Sequence, residues 1–344
     1  MRPFHGRLAS LAALTLATMP IDARADAPAL EKVATIALKG PVGGMDHLAV
    51  DSKRGLLFVA NTGNNSLDIV DMKTNTLVRQ IAGQGHIRGV TYSPEADRVF
   101  VGNGTGGVCN VFDAQNFNLV KSVALGEDAD NLRFAPASKL IFVARADKEV
   151  SVIDATDFSV RSPIEMPPDV GGFAIESKPP RLYVNSKSSN HVYVIDTAKA
   201  AVVAKFPVDK HTLFKAGVNS AAALDEANRR LFVGCRKPAA LIVMNADTGE
   251  IRAGLTIPGN VDDVSYDAAN HRIYASCGEG YVALIRQAGP DAYQMRHSDQ
   301  VATAQGAKTS VFDPSTRRLY VAVPRNAARP DQANPEIWVY QANP

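Results

Sequence analysis

A strand-like quartet with an aromatic at its second position recurs seven times along the chain, and no other feature constrains the fold as tightly. It reads Leu57-Phe58-Val59-Ala60, Val99-Phe100-Val101-Gly102, Ile141-Phe142-Val143-Ala144, Leu182-Tyr183-Val184-Asn185, Leu231-Phe232-Val233-Gly234, Ile273-Tyr274-Ala275-Ser276 and Leu319-Tyr320-Val321-Ala322. The aromatics are spaced by 42, 42, 41, 49, 42 and 46 residues. Self-similarity at that period marks stacked supersecondary units, none of which buries its apolar surface alone.

Each unit has the same internal grammar. A short strand such as His47-Leu48-Ala49-Val50 leads into a turn, Asp51-Ser52-Lys53-Arg54-Gly55, and then the aromatic strand. A third strand alternates, as in Leu67-Asp68-Ile69-Val70-Asp71, and a fourth follows, as in Leu77-Val78-Arg79-Gln80-Ile81. Four short strands per unit predict an all-β, seven-bladed β-propeller with four-stranded blades. The seventh unit stops at its third strand, Glu336-Ile337-Trp338-Val339-Tyr340. An orphan strand, Lys32 to Leu38, stands near the N-terminus. It is expected to complete the last blade and so pair both open edges.

The strands Val59-Ala60-Asn61, Tyr183-Val184-Asn185 and Val194-Ile195-Asp196-Thr197 resemble those of the YVTN-repeat β-propellers, including exported bacterial members. The resemblance runs over nearly the whole chain after residue 25. It implies the propeller fold and leaves the activity open, because such propellers include binding modules, enzyme subunits and lyases.

Residues 1–25 read as a secretory signal: Arg2 and Arg7, an apolar run from Leu8 to Met19, Pro20, and a small-x-small site, Ala23-Arg24-Ala25. Residues 26–344 form the single expected domain, periplasmic or secreted after cleavage near Ala25. The formal charge of the chain is +2, and the signal carries all of it through Arg2, Arg7 and Arg24 less Asp22. A formally neutral remainder has no field to gather a polyanion, so no nucleic-acid partner is expected. No apolar run reaches 18 residues, so no membrane-spanning helix is expected. With three cysteines, Cys109, Cys235 and Cys277, at least one thiol is free, and buried free thiols are expected.

Twelve residues before each aromatic stand Asp46, Arg88, Asp130, Gly171, Ser220, Asp262 and Lys308. Three residues after it stand Asn61, Asn103, Arg145, Ser186, Cys235, Cys277 and Val323. First strands begin and second strands end on one face of a propeller, so both sets should ring one mouth of the central channel. The spacing of 41 leaves Gly171 open by one position. Charges alternate around the first set, with Lys308 expected beside Asp46. That ring serves either as stitching between blades or as a polar site for a small molecule or a periplasmic protein. Its candidate binding residues are Asp46, His47, His86, Arg88, Asp130, Asn131, Arg145, Asp262 and Lys308. His47, His86 and Asp46 are the candidate ligands for one divalent metal, with Asp263 nearby, since imidazole and carboxylate suit Zn²⁺ or a similar ion.

Three readings of function follow. The leading one is a ligand-binding or partner-binding propeller. The second is a metal-assisted lyase or hydrolase with Asp130 or Asp262 as base. The third is an accessory subunit of a periplasmic redox enzyme. The sequence has no haem-attachment, dinucleotide, P-loop or nucleophile-elbow motif. Three insertions decorate the ring, at Val208 to Gly217, Ala288 to Ala307 and Pro324 to Pro335. The second is read as a long connection before blade seven, and the first and third as loops on the mouth face.

Overall fold

The computed structural model describes residues 28–126, 128–145, 148–167, 170–209 and 217–344. The signal segment, and all of the first insertion except 208, 209 and 217, lie outside them. Seven antiparallel sheets follow one another in chain order, each sheet one blade. The innermost strands are Leu48–Asp51, Ile87–Ser93, Ala129–Ala135, Val170–Glu176, Asn219–Asp225, Val261–Asp267 and Ser310–Asp313. Each pairs with the aromatic strand of its own blade.

Closure follows the expected route. Leu30–Ala37 pairs antiparallel with Glu336–Ala342, with Ile36 opposite Ile337. The Asn343 N–H donates to Ala29 O at 3.1 Å, and Arg272 donates to Asn343 O.

Seven apolar clusters fill the seven interfaces between blades. All seven repeat aromatics are fully buried, and each packs toward the following blade. Phe58 enters the cluster with Val90 and Val101, and Tyr320 closes the circle against Leu57 and Val70. Each such burial is worth about 1.5–3 kcal/mol, so the periodic aromatic is the residue that holds blade to blade.

The recurring acid at the end of the third strand has a local cause. The Asp71 carboxylate accepts from the Lys73 and Thr74 N–H groups, and Asn75 follows with φ of 54°. Asp196 and Asn245 make the same turn.

Blade six departs from the expected plan. The insertion Ala288 to Ala307 is not a plain connection, because it contains the outer strand of the blade in two pieces. Ala292–Gln294 and Gln300–Ala302 both pair with Tyr281–Gly289. A 3₁₀ turn, His297–Asp299, separates them and is pinned where Asp299 accepts from Arg286 at 3.0 Å. The third insertion folds back on the chain before blade one, where the Gly43 N–H donates to Arg325 O at 3.2 Å. Arg329 reaches the face of Trp338, which also carries the Lys32 ammonium 3.4 Å from its ring centre. No helix among the described residues is long and apolar enough to cross a membrane.

Candidate functional site at the channel mouth

The antiparallel register slips at the start of the inner strand in five blades. The slips fall between Ile87 and Gly89, Ala129 and Leu132, Val170 and Phe173, Asn219 and Ala221, and Val261 and Asp263. The bulged residues therefore include Arg88, Asp130, Gly171, Ser220 and Asp262, members of the ring expected from spacing. A bulge frees a residue from the ladder and re-aims its side chain. Blade four keeps the common register, with Ala174 opposite Tyr183, so Gly171 holds the equivalent place after all. Asp46 and Lys308 lie just before the inner strands of blades one and seven.

The bulged backbone is also where blades come closest. A Cβ on Gly89 would sit 1.9 Å from Asp130 O, so only glycine fits.

The ring is knitted by ion pairs, in a pattern that differs from simple alternation. Lys308 Nζ lies 2.5 Å from Asp262 Oδ2, on the blade-six side, rather than pairing with Asp46. Arg236 also pairs with Asp262. Burial works to raise the Asp262 carboxyl, but Lys308, Arg236 and His47 outweigh it and hold it below its ordinary value. A carboxylate clamped by two cations suits an ion pair better than the role of general base. Arg88 sits among Asp46, Asp128 and Asp130 at 3.8, 3.7 and 3.4 Å. Arg145 is tied to Glu149 at 2.7 Å.

One layer deeper, eleven residues before the aromatics, stand His47, Gly89, Asn131, Gly172, Ala221, Asp263 and Thr309. Three small side chains in this layer leave room for three polar ones to meet across the axis. His47 Nδ1 lies 3.3 Å from Asp263 Oδ2, and His47 Nε2 lies 2.8 Å from Asn131 Nδ2. Asp263 also accepts from the Ser310 N–H at 3.1 Å. His47 is 6% exposed and Asn131 3%. Burial disfavours the charged imidazole, but Asp263 and Asp46 outweigh it and hold the His47 pKa up at about 9. Asn131 Oδ1 is buried without a hydrogen-bond partner. Turning the amide over presents that oxygen to the imidazolium Nε2–H and satisfies both groups.

A third layer, opposite the aromatics themselves, holds Ala49, Thr91, Arg133, Ala174, Ala223, Ser265 and Val311. Arg133 is the one long side chain in a layer of short ones. Its Nη2 is 3.9 Å from Asp263 Oδ1, and its side chain keeps 29% exposure. Burial pulls the Arg133 guanidinium below its ordinary value, against the attraction of Asp263. All seven inner strands line the cavity around it, whose volume is about 370 Å³. His47, Arg133, Asp263 and Ser310 give it polar walls, and Phe173, Ile175, Leu224 and Val311 apolar ones.

Of the residues expected to hold a metal, the structure brings Asp46 and His47 together with Asp130. Ligand atoms of these three lie within 4.8 Å of one another. His47 Nε2 is 3.6 Å from Asp46 Oδ1. His86 stands apart from this group, exposed on a left-handed residue with φ of 52°, its N–H donating to Asn65 Oδ1. Sequence reasoning sets Asp263 near the metal candidates without counting it among the binding residues, and it leaves Arg133 out altogether. Counting eleven and nine residues back from the aromatic, rather than twelve alone, would have found both.

The three cysteines are free and buried, and burial pushes each thiol up to about 12.

No family model matches the chain, and no curated protein matches it in sequence. Solved structures do match. A hydrazine synthase chain of Kuenenia stuttgartiensis aligns with a TM-score of 0.71 at 16% identity, over 83% of this chain and 94% of that one. A chain from a mitotic checkpoint complex aligns with a TM-score of 0.73 at 14% identity, over 97% and 98%. These likenesses establish the seven-bladed propeller fold.

Proposed function

We propose that this chain is an exported propeller of the YVTN-repeat kind that binds a small polar ligand bearing an acidic group in the mouth of its axial channel. The observation that carries the reading is Arg133, a guanidinium placed inside the cavity whose Nη1 donates to Leu132 O and whose nearest carboxylate among the described residues, Asp263, is 3.9 Å away. A cation held at that distance keeps donors for a guest carboxylate or phosphate oxygen, and guanidinium favours bidentate pairing with such groups. The apolar wall beyond it suits the body of the same ligand. Export rests on the signal-like residues 1–25 and places the ligand in the periplasm or outside the cell.

The test is a thermal-shift screen of the chain from Asp26 onward against small carboxylates and phosphate esters. The expected hit saturates and weakens at least tenfold in Arg133→Ala, with unchanged unfolding of the free protein. Hits that ignore Arg133→Ala would sink the reading. A metal-assisted lyase or hydrolase is the second reading, and the convergence of Asp46, His47 and Asp130 favours it. A role as an accessory subunit draws only on the fold, since a propeller face is a common docking surface and one structural neighbour is part of a named complex.

A further inference from the structure

We infer that the mouth holds a divalent cation of borderline character, Zn²⁺ or Mn²⁺, on His47 Nε2, Asp46 and Asp130, with Asp263 orienting the imidazole from behind. The inference deepens the reading of the channel mouth as a binding site and rests on it.

Four features of the cluster support it. The ligand atoms of Asp46, His47 and Asp130 already lie within 4.8 Å of one another, so small side-chain movements close them on an ion. One imidazole nitrogen and two carboxylates make a mixed donor set, suited to Zn²⁺ or Mn²⁺. The opposite ring nitrogen, Nδ1, faces the Asp263 carboxylate at 3.3 Å. In the neutral imidazole the Nδ1 proton stays toward Asp263 and the Nε2 lone pair is left for an ion in place of the Asn131 amide contact, as outer carboxylates arrange in metal sites. Independently, Asn131 is nearly fully buried, its amide abuts the Nε2 edge, and its Oδ1 has no partner. Turned over, that amide presents its oxygen to the Nε2 edge, where a bound ion takes the place of the imidazolium proton.

Charge agrees with the geometry: the Asp46 and Asp130 carboxylates converge beside one imidazole, and such a pair gains from a dication. Arg88 is the resident counter-charge, but it approaches Asp46 and Asp130 only at 3.8 and 3.4 Å and has Asp128 as an alternative partner. The ion would keep coordination positions toward the cavity, next to the acidic ligand that Arg133 is proposed to engage.

The experiment uses the chain from Asp26 onward, freed of metal by chelator and titrated with ZnCl₂ and then MnCl₂ by calorimetry. One ion per chain is expected. Asp130→Asn should weaken it at least tenfold, and Asp263→Asn about 10–100-fold. Arg88→Ala should tighten it, because a competing cation is gone. That opposite sign separates ligation from general damage to the fold. No saturable one-to-one binding in the unaltered chain would overturn the inference. So would binding that Asp130→Asn and Asp263→Asn both leave unchanged, which would place the ion on surface histidines. If no ion binds while ligand hits still depend on Arg133, the inference fails and the proposed function stands.

Discussion

His47 and Asp263, 216 residues apart in the chain, meet at 3.3 Å across the channel. The contact joins blade one to blade six over the top of blade seven, so it reads the closure of the ring directly. Asp263 also holds the Ser310 N–H and is the carboxylate nearest Arg133 among the described residues. Asp263→Ala should therefore strand two cations and a backbone donor. Loss of one partner of a buried pair costs about 3–5 kcal/mol. Urea unfolding of the metal-free protein checks this. The double variant His47→Leu with Asp263→Leu should lose less than the sum of its single changes.

Gly89→Ala should destabilise by about 3 kcal/mol or prevent folding, because its Cβ meets the backbone carbonyl of Asp130, which cannot swing aside as a side chain would. Gly44→Ala, where nothing lies within 4 Å, should change stability by less than about 0.5 kcal/mol. Equal unfolding midpoints for the two variants would contradict the account of blade contact given above.

On the face opposite the mouth, Arg54 of blade one grips both oxygens of Asp97 in blade two at 2.5 Å. The Arg54 hydrogen bonds, with help from Gln115 and Tyr92, hold the Asp97 carboxyl down at about 2. A depressed carboxylate contributes stability above its unfolded value, near 4, and loses it as pH falls through about 2. Both side chains are a quarter to a third exposed, so solvent reduces the effect to about 1 kcal/mol. Asp97→Asn should lower the urea midpoint at pH 7, and the gap to the unaltered chain should narrow between pH 4 and pH 2. Asn also tolerates the left-handed backbone at this position, where φ is 54°.

The thiols offer a simple count. Cys109, Cys235 and Cys277 are buried and poorly ionised, so a thiol reagent at pH 8 should label none of them in the native state. Three should react after unfolding in denaturant without reductant.

Trp338 is the only tryptophan and lies in blade seven between Lys32 and Arg329. Ile36→Ala, which opens a cavity against Ile337 and Tyr320, should cost about 2–4 kcal/mol. The change in Trp338 emission should coincide with loss of far-ultraviolet dichroism, as it does when the closing strand and the ring unfold together.

The blades were legible in the sequence because each aromatic, from Phe58 to Tyr320, repeats one packing task, and a repeated task leaves a period. The closing strand was legible because the seventh unit lacked a partner for Glu336–Ala342. The mouth ring was legible as positions but not as pairings. Lys308 turns to Asp262 instead of Asp46, a choice set by side-chain reach that spacing does not encode. Arg133 and Asp263 project inward only because neighbours such as Gly89, Gly172, Ala49 and Ala174 are short, so their role depends on three other blades at once. The outer strand of blade six escaped notice because its two three-residue pieces are too short to show alternation.

The bulges at the channel mouth carry an evolutionary consequence. Residues such as Arg88, Asp130 and Asp262 stand outside the ladder that holds their blades together. Replacing one of them alters what the mouth attracts while the backbone hydrogen bonds below stay in place. Five blades carry such a position, so a propeller of this design can change guests by point substitution with its ladders left in place.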